Sequence, residues 1–400
     1  MLKFETVPVE LLQPNAKNPR THSDSQIEEL RSSIREFGFL NPILVDDKYN
    51  IIAGHGRLRA ALLEGLTELP CIFIEGLTKL QIKAYIIADN KLALNAGWND
   101  EWLKADLLEL KENDFDIGAI GFSNEEFNDL MYEEPEPEED DFNVEEELEK
   151  PAICQMGDIW QLGNHRVMCG DSTNIEAVEK LMDGKLADLV VTDPPYNVDY
   201  EGSTGLKIEN DNMSDGAFRS FLNAAFSCMI QTTKDGGAIY CFHADSEGFN
   251  FRGAFRDAGW KTAQCLVWVK NALVMGRQDY QWQHEPILYG WKLGAAHYFV
   301  DERTNTTVIN ENKPRKNKEH PTMKPILLCS RLINNSSKPG WLVQDLFGGS
   351  GSVLIAAEQL NRTCYTMELA EKYCDVIIKR WEEYTGKKAV KLNVEAQRSL

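Results

Sequence analysis

The apolar positions change period along the chain. Ser23-Asp24-Ser25-Gln26 forms a capping box, and Ile27, Leu30, Ile34 and Phe37 follow at the spacing of one helix face. Ile43–Val45 and Tyr49–Ile52 are apolar runs around Asp46-Asp47-Lys48, which predicts a hairpin. A helix is expected from about Arg57 to Glu64, closed by Gly65, then a strand over Leu69–Glu75. Two or three helices fill 79–131, one opened by Ser123-x-x-Glu126. After residue 150, strand and helix patterns alternate. Strands are expected at Ala187–Thr192, Gly236–His243, Thr262–Val269, Pro286–Trp291, Leu342–Leu346 and Thr363–Met367, with helices near 214–233, 246–258, 325–335, 351–360 and 370–385. The prediction is an α/β fold with a doubly wound, mostly parallel sheet, preceded by a small α+β unit.

Between the two lies Glu133–Lys150, with 11 acids, one base and two prolines. Like charges repel, so this stretch reads as an extended, solvated linker without a partner. The division is therefore 1–132, a linker at 133–150, and 151–400. The whole chain carries −21, which at first disfavours a polyanionic partner. Its distribution alters that inference, because 252–338 carries 14 bases against 7 acids. Screening hides charge beyond roughly 10 Å, so a local basic face is what a nucleic acid would meet. No run of 18 apolar residues occurs, so no membrane span is expected. The first residues lack the pattern of a secretory signal, which gives a cytoplasmic expectation. Nine scattered cysteines form no C-x-x-C pair and read as reduced, mostly buried thiols rather than metal ligands.

Thr192-Asp193-Pro194-Pro195-Tyr196-Asn197 follows directly on the buried strand 187–192. Ligands of open parallel sheets bind beyond the carboxyl ends of strands. Two prolines stiffen the backbone and leave carbonyls without competing donors. Asp193 adds a carboxylate and Tyr196 an aromatic face. Such a set suits an aromatic amine, whose lone pair is delocalised into its ring. If Asp193 and the Pro194 carbonyl accept its protons, the nitrogen is drawn toward a tetrahedral form and can attack a sulfonium methyl in line. Tyr196 would stack on a base taken out of its duplex. Taken alone, the segment also fits a proline-rich turn after a strand.

A second motif is Gln344-Asp345-Leu346-Phe347-Gly348-Gly349-Ser350-Gly351-Ser352, between an apolar strand and a helix. Its glycines let backbone N–H groups approach a ligand. Glu368 closes the next strand, where an acid can bond ribose hydroxyls. The third glycine of a dinucleotide fingerprint is missing, so a nucleoside cofactor without diphosphate fits better. A simple helix-capping loop is the alternative.

D-P-P-Y and F-G-G-S-G on separate strand ends resemble the amino-methyltransferases of DNA, in the order of their beta class. Cys169-Gly170-Asp171-Ser172, Leu266–Lys270, Glu285–Lys292 and His320-Pro321-Thr322-Met323-Lys324-Pro325 resemble other segments of that family, over about 155–385. The resemblance implies a Rossmann-like class I methyltransferase using S-adenosyl-L-methionine on double-stranded DNA. It implies catalytic Asp193, Pro194, Pro195 and Tyr196, and cofactor contacts from Asp171, Thr322, Lys324, Asp345, Phe347, Gly348, Gly349, Gly351 and Glu368. An aspartate at the first motif position is commoner with adenine N6 and a serine with cytosine N4, so Asp193 leans toward adenine. The family often has Asp-Pro after Glu368-Leu369, whereas this chain has Ala370-Glu371 at that helix start.

Target recognition is expected within 252–318, where Arg252, Arg256, Lys261, Lys270, Arg277 and Lys292 alternate with Tyr280, Trp282 and Trp291. Lys313, Arg315, Lys316 and Lys318 form a basic run suited to phosphate, with a solvated loop as the alternative. Arg277 and Gln278 are placed to read base edges. Val198–Asp215 reads as a mobile loop over the flipped base. The first unit, with Leu12-x-Pro14-Asn15, Asn18-Pro19-Arg20 and Ala53-Gly54-His55-Gly56-Arg57-Leu58-Arg59-Ala60, resembles the ParB/sulfiredoxin-like domain over about 3–95. In relatives this turn binds nucleotide phosphates, so Gly54, Arg57 and Arg59 are candidates here. The reactive cysteine of sulfiredoxins is replaced by His55-Gly56. A DNA-docking or regulatory role is favoured over nuclease or NTPase activity. The combination of domains implies a phage or prophage type and leaves open a partner restriction nuclease. Two rivals remain: a cytosine N4 or RNA substrate, and a nucleotide-gated DNA-binding adaptor with a silent methyltransferase half. The oligomeric state, a dimer included, stays open.

Overall fold

The computed structural model describes residues 3–15, 18–132, 135–199, 210–275, 279–301, 304–311 and 323–392, except the side chains of Asp129 and Val274. It divides into two compact units, Met1–Glu133 and Glu134–Leu400.

The first unit runs β1 (Lys3–Pro8), α1 (Asp24–Phe37), β2 (Ile43–Val45), β3 (Ile51–Ala53), α2 (His55–Leu63), β4 (Glu68–Phe73), α3 (Lys79–Ala93), α4 (Asp100–Glu112) and α5 (Asn124–Met131). Ser23 caps α1 by accepting from the Gln26 N–H, and Ser123 and Glu126 form the reciprocal box at α5. Four strands pair in the order β1-β4-β2-β3 around Ile43, Val45, Ile51, Leu69 and Cys71. The expected hairpin forms, but its second strand begins at Ile51 rather than Tyr49. Asp46 accepts hydrogen bonds from the N–H groups of Lys48 and Asn50, and Tyr49 takes a positive φ of 64°, so the turn consumes Tyr49 and Asn50.

The second unit begins with α6 (Val144–Leu148) and the hairpin β5 (Ile159–Leu162) and β6 (His165–Cys169). It continues through α7 (Ile175–Met182), β7 (Ala187–Thr192), α8 (Asp215–Gln231), β8 (Thr233–Phe242), α9 (Gly248–Asp257), β9 (Lys261–Val274) and β10 (Trp282–Trp291). It ends with β11 (Val308–Asn310), α10 (Ile326–Ser336), β12 (Leu342–Asp345), α11 (Ser352–Gln359), β13 (Thr363–Glu368), α12 (Glu371–Thr385) and β14 (Val390–Leu392). Ten strands pair in the order β11-β9-β10-β8-β7-β12-β13-β6-β5-β14. The five from β8 to β6 are mutually parallel, and antiparallel strands flank them. The fold is thus α/β and doubly wound. One face is covered by α10, α11 and α12, with Leu332, Ile355 and Trp381, the other by α7, α8 and α9, with Leu181, Phe226 and Phe255. Burial on both faces explains why β7 reads as a nearly unbroken apolar run.

From β7 the chain turns toward β8, and from β12 it turns the other way, toward β13. The crevice between the carboxyl ends of β7 and β12 is therefore the topological switch point, where open α/β sheets take ligands. Both chemical motifs leave the sheet there.

The acidic stretch corrects an expectation. Rather than a solvated linker, residues 138–148 lie against the second unit. Asp140 pairs with Arg380, and the Glu138 N–H donates to Gln359. Val144 and Leu148 of α6 bury against Met323 and Val376. The charges find cations and backbone donors, so their mutual repulsion does not decide the conformation. The hairpin β5–β6, helix α7 and the edge strands β1, β11 and β14 also went unpredicted. The edge strands are short, and short strands leave a weak period in the sequence.

Candidate active site and cofactor loop

Asp193 is the first residue beyond β7. It keeps 27% of its side-chain surface, so it remains reachable from solvent. The Tyr196 hydroxyl donates to its Oδ1 at 2.6 Å, and Lys324 Nζ donates to its Oδ2 at 2.6 Å. Lys324, two residues before α10, also reaches Tyr196 Oη at 3.1 Å and Glu285 Oε2 at 3.2 Å. Its three ammonium protons are then all engaged, and its charge lies 5.3 Å from the Tyr196 ring centre. Glu285 Oε1 takes a second cation, Lys270, at 2.5 Å. The cluster is a buried chain, Asp193–Lys324–Glu285–Lys270, of alternating sign.

That alternation shifts how each group titrates. Burial raises Asp193 above the usual aspartate range, with Lys324 opposing and Glu285 assisting. Burial would also raise Glu285, but Lys324 and Lys270 outweigh it and hold it at about 2. Burial disfavours the charge on Lys324, yet Asp193 and Glu285 lift its pKa above the ordinary lysine value. Burial, then Asp193, pushes the Tyr196 phenol well up, so it stays a donor.

Asn197 follows at a positive φ of 59°. Its side chain accepts from the Met213 N–H at 2.6 Å and donates to the Met213 carbonyl at 3.1 Å. Asp199 N–H donates to the Asp211 carbonyl at 2.8 Å. These bonds clasp the base of the loop expected over 198–215, whose residues 200–209 lie outside the described residues.

The glycine loop springs from the adjacent β12. Asp345 is fully enclosed and accepts from the Thr192 hydroxyl at 3.0 Å and the Phe347 N–H at 3.1 Å. Burial pushes its pKa up to about 7. Gly348 has no room for a side chain: a Cβ there would lie 2.5 Å from Thr366 Oγ1 and 2.9 Å from Ile377 Cδ1. Gly351 caps α11 in the left-handed region, at φ 84°. At the end of β13, Glu368 accepts from the Gly349 N–H at 2.8 Å and the Ala370 N–H at 2.9 Å. Asp171, just past β6, accepts from the N–H and hydroxyl of Thr173.

Asp171, Glu368, the glycine loop and Asp193 thus follow neighbouring strands β6, β13, β12 and β7. At roughly 4.8 Å per strand they span about 14 Å. That row fits an extended nucleoside joined to an amino-acid chain, with carboxylates at one end, the glycine loop between, and Asp193 at the other.

Other expected residues are dispersed. Thr322, His320, Arg277, Gln278, Lys313, Arg315, Lys316 and Lys318 lie outside the described residues. Lys324, expected at the cofactor, has its ammonium on Asp193 instead. Lys270 was expected to face DNA and is held by Glu285. Lys261, Lys292 and Trp291 sit at the far end of β9 and β10, since Trp291 pairs with Lys261 while Ile287 pairs with Phe242, the last residue of β8. Near the site, β10 starts five residues before that pairing. The β9–β10 hairpin therefore overhangs the end of β8 by about 17 Å, at roughly 3.4 Å per residue. It carries Met275, Tyr280 and Trp282, all exposed. The ion pair of this cluster that the sequence reading missed is Lys270–Glu285. Its signal was present: opposite charges flank two apolar runs, at the ends that meet when the strands pair.

In the first unit, Gly54 caps α2 in the left-handed region at φ 104°, so the helix starts at His55, two residues earlier than expected. Arg57 folds back so closely that a Cβ on Gly54 would lie 3.1 Å from its Nη2. Its Nη1 donates to the Asn41 carbonyl at 3.1 Å. Arg59 pairs with Asp24 at 2.8 Å.

The switch-point crevice, the acceptor cluster and the glycine loop define an α/β group-transfer enzyme of the methylase kind. Family patterns match the chain in three places: DNA methylase over 187–380, ParB N-terminal domain over 2–90, and ParB-methyltransferase HTH domain over 101–156. The chain belongs to the N6/N4 DNA methylases and carries a ParB N-terminal domain; it is a DNA methyltransferase. The third pattern spans α4, α5 and α6, across the expected boundary between 1–132 and the linker. The ParB-like nuclease domain-containing protein YnaK of Escherichia coli K12 is 46% identical over 80 residues, which are 20% of this chain and 92% of that protein. The putative methylase YubD, also of E. coli K12, is 26% identical over 224 residues, 52% of this chain and 86% of its own. A solved structure of TTHA0409, a putative DNA modification methylase of Thermus thermophilus in complex with S-adenosyl-L-methionine, is 20% identical. It covers 56% of this chain and 96% of its own, with a TM-score of 0.43.

Proposed function

We propose that this chain transfers a methyl group to the N6 amine of an adenine flipped out of double-stranded DNA, with S-adenosyl-L-methionine as donor. The observation that carries this reading is the acceptor cluster at the switch point: Asp193, solvent-reachable and charge-balanced, beside the glycine loop. An aspartate at this position, where cytosine N4 enzymes more often have serine, is what favours adenine.

The cofactor, when bound, supplies an electrophilic methyl on a sulfonium. Every other task falls to the chain. Asp193 and the Pro194 carbonyl accept the two amine hydrogens and expose the nitrogen lone pair. Each Asp193 oxygen already holds one donor and has a second lone pair for the amine. Lys324 opposes the rise that burial imposes on Asp193 and so favours its carboxylate form, and Tyr196, its hydroxyl on Asp193, presents its ring beside the base. Glu368 and Asp171 would take ribose hydroxyls, and the Phe347–Gly351 loop would enclose the amino-acid end. As the N–C bond forms and the methyl's bond to sulfur breaks, leaving a neutral thioether, the nitrogen gains positive charge, which Asp193 offsets until the proton is lost to solvent.

The overhanging β9–β10 hairpin, with exposed Tyr280 and Trp282, is the element we assign to reading DNA. The Gly54–Arg57 turn supports a nucleotide phosphate contact in the first unit. Of the two candidate arginines it is Arg57 that lies at the turn. Transfer of labelled methyl from the cofactor to duplex oligonucleotides tests the reading. Label should enter adenine-bearing duplexes and vanish with Asp193→Ala; label in the mutant at the wild-type rate would refute it.

A further inference from the structure

Neighbouring carboxylates of the acidic segment reach around to the two segments that build the site. Arg380 of α12 is 1% exposed, and Asp140 grips it with both oxygens, Nε to Oδ2 at 2.6 Å and Nη2 to Oδ1 at 2.9 Å. That geometry leaves Arg380 Nη1 aimed at the glycine loop. It donates to the Ser350 carbonyl at 2.9 Å and approaches Ser352 Oγ at 3.3 Å. Ser352 Oγ in turn donates to the carbonyl of Lys324 at 2.8 Å. One residue earlier, Glu139 Oε1 accepts from the Leu327 N–H at 3.0 Å, in the first turn of α10, three residues after Lys324.

We propose that Asp140, acting through Arg380, and Glu139, acting through the start of α10, are positioning residues for the cofactor: the acidic segment braces the Ser350–Ser352 loop, and the Lys324–Leu327 backbone bonded to it, from behind, leaving the Lys324 ammonium on Asp193. The inference rests on the reading that this loop holds S-adenosyl-L-methionine. The physical case is the cost of a buried cation. Arg380 without a carboxylate partner is an uncompensated charge in the interior. It would be drawn toward other acceptors, and the Ser350 carbonyl would lose its donor. A surface ion pair would have no such leverage. Neither carboxylate touches the proposed place of the base or the methyl. Their removal should therefore act on cofactor affinity and spare the chemical step once cofactor is saturating. The acidic run is thus in part a structural element of the site, with charges that the loop requires.

The test uses the full chain. Cofactor affinity and stoichiometry are measured by calorimetry with S-adenosyl-L-methionine, and kcat and KM by methyl transfer to DNA, for the wild type, Asp140→Asn, Glu139→Gln and Glu146→Gln. The last removes an exposed charge from the same stretch and serves as the control. The expected result for Asp140→Asn is a dissociation constant raised about fivefold or more, a stoichiometry unchanged, and a kcat within about twofold of wild type. Glu139→Gln should follow with a smaller rise, and Glu146→Gln should match the wild type. Unchanged affinity in both Asp140→Asn and Glu139→Gln overturns the inference. So does a lowered stoichiometry with unchanged affinity, which marks a folding defect, or an equal rise in the control, which marks a general charge effect. If the wild type itself binds no S-adenosyl-L-methionine, the cofactor reading fails, and this inference with it.

Discussion

Lys324 Nζ and Asp193 Oδ2 lie 2.6 Å apart, bridging the segment that leads into α10 and the end of β7, 131 residues away in sequence. The pair joins the carboxylate at the end of β7 to a cation that no local motif contains, so the titration of Asp193 depends on a long-range contact.

Asp193→Ala should lower kcat by about 10²–10³-fold or more, the scale of losing a preorganised group that meets developing charge. Cofactor binding by calorimetry should persist, because Glu368, Asp171 and the glycine loop are untouched. Loss of cofactor binding in parallel would mean that the residue holds the fold rather than the amine.

Lys324→Met removes the cation that opposes the burial of Asp193. The Asp193 pKa should then rise, and the carboxylate should be protonated at a higher pH. The acidic limb of the pH–rate profile should move upward by about one unit or more. A limb at the same pH would show that Lys324 does not govern the titrating group.

Gly348→Ala places a Cβ 2.5 Å from Thr366 Oγ1 and 2.9 Å from Ile377 Cδ1. The loop must shift, and cofactor affinity should fall about tenfold or more, read by calorimetry. Wild-type affinity in this variant would dissociate the loop from cofactor binding.

Glu358 bonds His165 Nε2 at 2.6 Å and accepts from Trp381 Nε1 at 2.9 Å. These contacts, His165 first, depress its pKa from 4.5 to about 2. A depressed carboxylate contributes stability that is present above its unfolded value and is lost as pH falls through its folded value. The thermal midpoint of the second unit should therefore drop between about pH 4.5 and 2, and Glu358→Gln should flatten that slope. An identical slope in the variant would assign the acid sensitivity to other groups.

The two chemical motifs were legible in the sequence because each is local. D-P-P-Y and F-G-G-S-G sit where a strand ends, and strand ends are visible in the apolar pattern. The parallel order was legible too, from buried strands such as β7 alternating with helices. What escaped was long-range. Lys270 and Glu285 meet only after β9 and β10 pair, and Lys324 reaches Asp193 only after α10 docks. The acidic segment was misread for a related reason: its composition describes a free chain, and the partners that neutralise it, Arg380 and the first turn of α10, lie about 190–240 residues further on. Capping signals such as Ser23 and Ser123 marked helix starts well, whereas the short edge strands carried too few residues for a period to emerge.

The most direct measurement is mass spectrometry of nucleosides from DNA incubated with the protein and S-adenosyl-L-methionine, beside Asp193→Ala. N6-methyladenine should accumulate with the wild type and be absent with the variant. N4-methylcytosine in its place would keep the mechanism and overturn the base. No methylated base from a wild-type protein that binds the cofactor would contradict the assignment of this site to transfer onto DNA.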